Sequence, residues 1–297
     1  MKSRYVATIG FFDGVHRGHQ CLVSQVCRLA QELGCPSLVI TFDQHPRQVL
    51  HSDYIPQLLS TLMEKKVLLS ASGIDHLEVL PFTEELSRLT ALQFMQQVLR
   101  DQLDVQTLVM GYDHRFGCGG GTFPDYVEWG RQTGIDVVQA HKLEGEKVSS
   151  SRIRSFLLAG DVRQANRMLG YSYSLQGIVV SGHQVGRHIG FPTANMEVQA
   201  DKLLPACGVY AVRVMLEEGA TYDGMLCIGH RPTLHNGDEL SVEANLFGFD
   251  GDLYGKTVVL NLVDRLRDER SFASVHALRQ QLEQDAVKAR EILRVDS

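Results

Sequence analysis

Two different rhythms of apolar residues divide this chain. Residues 5–9, 37–42, 76–80, 105–111 and 135–139 are short apolar runs that predict buried strands, and the stretches between them carry apolar positions at helical spacing. The first of these stretches is the plainest. Leu22, Val23, Val26, Leu29, Ala30 and Leu33 mark one face of a helix that Gly34 stops. Residues 58–72, 91–103 and 125–133 predict further helices. Strand and helix in alternation imply a parallel sheet covered on both faces, with ligands gathering at the carboxyl ends of the strands. His16, His19, His45 and Asp113 all follow such ends.

After Gly170 the rhythm shortens to period two. Tyr210, Val212, Val214 and Leu216 alternate with polar or small residues, and 177–180, 225–228, 242–247 and 257–263 look similar, with glycine-rich turns between them. This half predicts a small antiparallel barrel. Residues 273–293 read as a charged amphipathic helix packed across it. With no repeat and no low-complexity linker, the change of period sets the expected domains at 1–170 and 171–297, and 297 residues suffice for two cores.

Composition narrows the function classes. A net charge of −6 argues against a nucleic-acid partner. The six cysteines form no CxxC pair and no disulfide framework, so reduced thiols in a cytoplasm are expected. The apolar run after Lys2 and Arg4 is interrupted by Asp13 and His16 before a signal core or membrane span forms; the protein is expected to be soluble and unprocessed, without a membrane partner.

The chemistry concentrates in a few short segments. Gly10-Phe11-Phe12-Asp13-Gly14-Val15-His16-Arg17-Gly18-His19 places two histidines at a helix entrance, where unpaired N–H groups and the helix dipole favour anions. A zinc half-site or a surface histidine pair has the same spacing, but no further ligands stand at suggestive distances. His45, in Thr41-Phe42-Asp43-Gln44-His45-Pro46, is either a crevice histidine or a turn residue before proline. Gly111-Tyr112-Asp113-His114-Arg115-Phe116-Gly117 begins at another strand end; the following 118–121 lacks the lysine and hydroxyl of a P-loop and reads as a flexible loop. In 148–154, Ser149, Ser150 and Ser151 open a helix beside Arg152 and Arg154, a pattern for helix capping or for gripping phosphates. Gly186-Arg187-His188-Ile189-Gly190-Phe191-Pro192-Thr193-Ala194-Asn195 offers glycines for close approach to phosphate and neutral oxygen donors for magnesium, although a hairpin turn has similar chemistry. Glu243 lies within an apolar run, facing either solvent or a site, and Arg267 sits in a charged run.

These segments, in this order, resemble the bifunctional riboflavin kinase and FAD synthetase family. The resemblance implies an α/β fold: an N-terminal Rossmann-like nucleotidyltransferase domain with a parallel sheet, then a small antiparallel β-barrel kinase domain with a C-terminal helix. It implies phosphorylation of riboflavin to FMN and adenylylation of FMN to FAD, with ATP as co-substrate and Mg2+ as cofactor. In the first half it assigns catalysis to His16 and His19, nucleotide binding to Gly10, Phe12, Asp13, Gly14, Ser150, Ser151 and Arg154, and flavin binding to His45, Asp113 and Phe116. In the second half it assigns nucleotide binding to Gly186, Arg187, Gly190, Pro192, Thr193 and Asn195, magnesium to Thr193 and Asn195, the general base to Glu243 and flavin binding to Arg267. This chain departs from the pattern at Gln44, His114, Ser151, Asn245 and Gly248. A chain with one live activity, its other domain kept as a flavin-binding module, would show its decay at Gln44, His114 and Asn245; a non-enzymatic flavin carrier would not need both intact residue sets.

Overall fold

The computed structural model describes residues 4–49, 56–181, 190–230 and 240–295, and divides into compact units at Ser149/Ser150. In the first unit β1 (Tyr5–Ile9), β2 (Ser37–Phe42), β3 (His76–Leu80), β4 (Val105–Met110) and β5 (Asp136–Gln139) form one parallel sheet in the order β3-β2-β1-β4-β5. The helices α1 (Arg17–Leu33), α2 (Pro46–Val49), α3 (Leu62–Ser70), α4 (Glu84–Arg88), α5 (Ala91–Phe94) and α6 (Phe123–Thr133) connect the strands. Two apolar layers follow from that wrapping. Val6, Val26, Ala30, Val109 and Ala140 pack on one face, while Ala7, Ile9, Ile40, Leu108 and Met110 meet Phe94, Met95 and Tyr126 on the other. The alternation of Val6 and Ala7 between the two clusters is the period-two signature of a strand buried on both sides.

Residues 91–103, expected as one helix, divide into the short α5 and a π-helical stretch, Met95–Gln102. Its wider winding still buries Met95, Val98 and Leu99. The loop after Gly117 is tied back at Cys118, whose N–H donates to the Leu89 carbonyl at 2.8 Å.

The second unit opens with α7 (Ser150–Leu158) and α8 (Val162–Leu169), followed by β6 (Ser174–Val180), β7 (Ala194–Val198), β8 (Gly208–Leu216), β9 (Thr221–His230), β10 (Leu240–Leu246), β11 (Thr257–Arg267) and α9 (Val275–Val295). The strands close into an antiparallel barrel in the order β10-β7-β6-β11-β8-β9. Val209 and Ala211 of β8 pack with Ala286, Ala289 and Leu293 of α9. Tyr210, Val212 and Val214, on the opposite side of the same strand, are also fully buried. The segment 186–195 reads as a possible hairpin turn from its glycines and proline, yet its last two residues, Ala194 and Asn195, open β7 and pair with β10.

The compact division falls before the change of period because α7 and α8 are built onto the barrel. Leu157 accepts from Ala206 N at 3.0 Å, Asn166 Nδ2 donates to the Leu262 carbonyl at 2.8 Å, and Asn166 Oδ1 accepts from Tyr173 N at 2.7 Å.

Candidate functional site

In the first unit the chain leaves β1 through Gly10, where an added Cβ would come within 3.0 Å of the Phe12 ring. Phe12 (φ 54), Gly14 (φ 75) and Val15 (φ 35) then turn with left-handed backbone, which is costly for a β-branched valine. What holds this turn is a set of buried hydrogen bonds. Asp13 Oδ1 accepts from Leu59 N (2.9 Å) and Ser60 N (3.1 Å), and Gly14 N donates to Ser60 Oγ at 2.9 Å. The family resemblance assigns Asp13 and Gly14 to a nucleotide, and the structure shows both anchoring the turn that presents the histidines.

His16 caps α1: its Nδ1 accepts from His19 N at 3.3 Å. A neutral imidazole accepting through Nδ1 carries its proton on Nε2, so His16 is a donor on its other side. Gly18 permits this, since a Cβ there would press within 3.2 Å of the His16 ring. The His16 and His19 rings stack at 3.6 Å and 16°, with Phe12 edge-on to His19 at 5.2 Å. Burial drives the His16 pKa down to about 4 and pushes that of His19 well below its usual value, with His16, His114 and Lys65 adding electrostatic opposition at His19. Both imidazoles are therefore neutral at physiological pH.

Two neighbours had no place in the histidine site on sequence alone, where His114 stood only as a departure from the family pattern and Lys65 was not singled out. His114 stands close enough to His19 to oppose its protonation, burial lowers its own pKa to about 4, and its Nε2 is buried without a hydrogen-bond partner among the described residues, as is His19 Nδ1. Lys65 of α3 is 2 % exposed. Its Nζ donates to the carbonyls of Phe11 (3.1 Å) and Phe42 (2.8 Å) and lies 3.9 Å from the centroid of the Phe11 ring. Burial brings its pKa down to about 8, with Asp13 and Asp43 opposing the shift. Lys65 thus clamps the ends of β1 and β2.

His45 packs edge-on against Phe11 at 4.7 Å, and its Nδ1 accepts from Arg47 N at 3.1 Å. Asp113 is exposed and favours protonation of His114. Phe116 is fixed by Tyr126, with rings 4.8 Å apart and the Tyr126 hydroxyl bonded to both its N–H (2.8 Å) and its carbonyl (2.7 Å). Ser150, Ser151 and Arg154 lie in the first turns of α7 and belong to the second unit.

In the barrel, antiparallel pairing sets Glu243 of β10 beside Asn195 of β7 on one side and Cys227 of β9 on the other. The Thr193 hydroxyl donates to Glu243 Oε2 at 3.4 Å. Asn245, where the family pattern has histidine, donates through Nδ2 to the Pro192 carbonyl at 2.7 Å and so fixes the Pro192-Thr193-Ala194-Asn195 segment over β10. Gly190 adopts φ 82 with open space around it, while Gly186 and Arg187 lie outside the described residues. The hydroxyl, amide and carboxylate gathered here are hard oxygen donors, the kind that magnesium takes together with substrate oxygens. Arg267 is engaged by α9: its Nε donates to the nearly buried Asp285 Oδ2 at 2.8 Å. No helix among the described residues is long and apolar enough to cross a membrane.

Comparison with known proteins matches the two units to two different families. Residues 1–152 match the FAD synthetase family and residues 169–293 the riboflavin kinase family. Two relatives, from Bacillus subtilis (strain 168) and Pseudomonas fluorescens, both named bifunctional riboflavin kinase/FMN adenylyltransferase, are 36% and 35% identical over 97% and 96% of this chain and 92% of each relative. A crystal structure from Streptococcus pneumoniae, described as a macrolide-efflux protein, superposes with a TM-score of 0.88 at 33% identity, over 98% of this chain and 95% of that one. With both halves matched in order and the relatives aligned almost end to end, the chain belongs to the bifunctional riboflavin kinase/FMN adenylyltransferase family.

Proposed function

We propose that this chain phosphorylates riboflavin to FMN in its barrel and adenylylates FMN to FAD, with release of pyrophosphate, at the histidine site of its parallel-sheet unit. The observation that carries the reading is the pair His16/His19: two neutral, stacked imidazoles at a helix entrance, one with a buried nitrogen that no group among the described residues satisfies. Adenylyl transfer needs no protein nucleophile. The FMN phosphate attacks the α-phosphorus of ATP, and the enzyme aligns two anions and stabilises the charge that develops between them. Neutral imidazoles suit that task because each keeps one N–H as a hydrogen-bond donor and does not change protonation around neutral pH. Gly10, Phe12, Asp13 and Gly14 shape the nucleotide side, and His45, Asp113 and Phe116 the flavin side. The motif resemblance gives Ser150, Ser151 and Arg154 to the nucleotide.

In the barrel, Glu243 takes the proton of the ribityl 5′-hydroxyl as that oxygen attacks the γ-phosphate of ATP. The Thr193 hydroxyl holds the carboxylate, and Asn245 holds the segment that carries Thr193. Thr193 and Asn195 would hold Mg2+, which offsets the charge of the ATP phosphates. Gly186, Arg187, Gly190 and Pro192 complete the nucleotide side by resemblance, and Arg267, positioned by Asp285, the flavin side. The two activities divide near Gly170, with α7 and α8 supporting the barrel. All six cysteines are free thiols, which supports a cytoplasmic enzyme, and the reading needs only small-molecule substrates. Incubation with riboflavin, ATP and magnesium, with products resolved by chromatography, tests the reading. FMN and FAD are expected, and the appearance of neither would refute it.

A further inference from the structure

Among the described residues, one group of histidine, cysteine and carboxylate side chains has its ligand atoms within 4.8 Å of one another: Cys207, His230 and Glu269. They are far apart in sequence, and the barrel brings them together. Gly208 pairs with Ile228 and Val209 with Arg267, so the residue before β8, the last residue of β9 and the second residue after β11 meet at one end of the barrel.

Their spacing is that of ligands. Cys207 Sγ lies 3.6 Å from His230 Nδ1, at the reach of a sulfur hydrogen bond, and His230 Nδ1 lies 3.6 Å from Glu269 Oε2, longer than a hydrogen bond between nitrogen and oxygen. Zinc bonds of about 2.3 Å to sulfur and about 2.0 to 2.1 Å to nitrogen and oxygen, at tetrahedral angles, separate S and N by about 3.6 Å and N and O by about 3.3 Å. The chain also makes room for this geometry: a Cβ on Gly229 would lie 2.3 Å from Glu269 Oε1, so the carboxylate rests against β9 only because glycine precedes His230. Of the nearby cations, Arg267 is engaged by Asp285 (2.8 Å), while Arg265 pairs with Asp268 (2.9 Å) and donates to the Cys207 backbone carbonyl, so neither pairs with the Glu269 carboxylate. A thiolate, a neutral imidazole and a carboxylate together offset the charge of one divalent ion.

We propose that Cys207, His230 and Glu269 form a binding site for one thiophilic divalent cation of the zinc type, separate from the magnesium that accompanies ATP. The thiolate sets the preference, since magnesium does not compete for sulfur. A bound ion ties the entrance of β8 to the exits of β9 and β11. It closes one end of the barrel with a bond that the fold itself does not supply.

The test uses the full chain, stripped with a chelator and titrated with Co2+ in the presence of excess Mg2+. One equivalent should produce a thiolate-to-cobalt charge-transfer band that Zn2+ abolishes. Cys207→Ser should remove the band, and His230→Ala and Glu269→Gln should weaken Co2+ binding by at least about 100-fold, the upper end of what losing an outer-shell partner costs. Cys227→Ser, which removes the neighbouring thiol, should keep the band. Zn2+ should also raise the thermal midpoint of the wild type and not that of Cys207→Ser. Absence of a stoichiometric band, its persistence in Cys207→Ser, its loss in Cys227→Ser alone, or undiminished binding by both His230→Ala and Glu269→Gln would overturn the proposal.

Discussion

His114→Phe restores an aromatic at a position where this chain departs from its family's pattern, and the structure fixes what that change does to acid stability. The His114 imidazole is held neutral by burial, with its pKa lowered from 6.5 to about 4. The unfolded chain takes up its proton near pH 6.5, whereas the folded chain does so only near pH 4. Between those values the unfolded state binds more protons, so stability falls as pH drops. The full shift corresponds to about 3 kcal/mol, and the part lost between pH 7 and pH 5 to about 2 kcal/mol. Phenylalanine does not titrate, so His114→Phe should lose about 2 kcal/mol less than the wild type over that interval. The assay is built into the fold: the protein has one tryptophan, Trp129, on α6 in the first unit, and urea titrations followed by its fluorescence report that unit alone. Equal losses in wild type and variant between pH 7 and pH 5 would refute the burial argument for His114.

Three further outcomes follow from the two sites. His19→Ala removes a group that the proposed mechanism sets against the transferring phosphate, so conversion of FMN to FAD should fall by about 10²-fold or more while riboflavin phosphorylation is unchanged; equal loss of both activities would mean misfolding. Glu243→Gln should lower FMN formation by about 10²- to 10⁴-fold with riboflavin affinity nearly constant and FMN adenylylation intact, and a wild-type rate would exclude Glu243 and leave Asp223 or Asp250 to test. A fragment starting at Tyr171 should still make FMN but melt below one starting at Ser150, because it loses the bond from Asn166 to the Leu262 carbonyl, the Leu157 contact to Ala206 and the ion pair from Arg163 to Asp264; equal melting temperatures would show that α7 and α8 add nothing to the barrel.

Regular periodicity made most of the architecture legible. Strands buried on both sides, such as β2, announce themselves as unbroken apolar runs, and the alternation from Tyr210 to Leu216 marked β8. β7 was hidden because its strand character comes from pairing with β10, which overrides the turn-forming residues around it. α8 carries local signals that the sequence reading passed over, a cap at Asp161, a stop at Gly170 and one apolar face of Val162, Ala165, Met168 and Leu169; only its bonds from Asn166 and Arg163 to β11, about a hundred residues later, are beyond local sequence. In the sites, residues within one motif were readable, including the His16/His19 pair and the Thr193 segment. Lys65 was not. In sequence it is one charge of Glu64-Lys65-Lys66 on a helix, and only the meeting of two strand ends makes it a buried clamp. Likewise, nothing local says that His114 comes near His19, or that Asn245, in losing the family's histidine, keeps a hold on Pro192.

The Lys65 clamp has a consequence for how this protein meets reactive chemicals. An amine whose pKa is brought down to about 8 carries far more of the nucleophilic free base at neutral pH than an ordinary lysine, yet it is 2 % exposed and bonded to two carbonyls. Acylating reagents would therefore consume the surface lysines first and reach this one only during moments when α3 lifts from the sheet. The rate at which Lys65 is labelled, read by mass spectrometry, thus becomes a clock for that opening, and a ligand that settles on the adjoining turn should slow it.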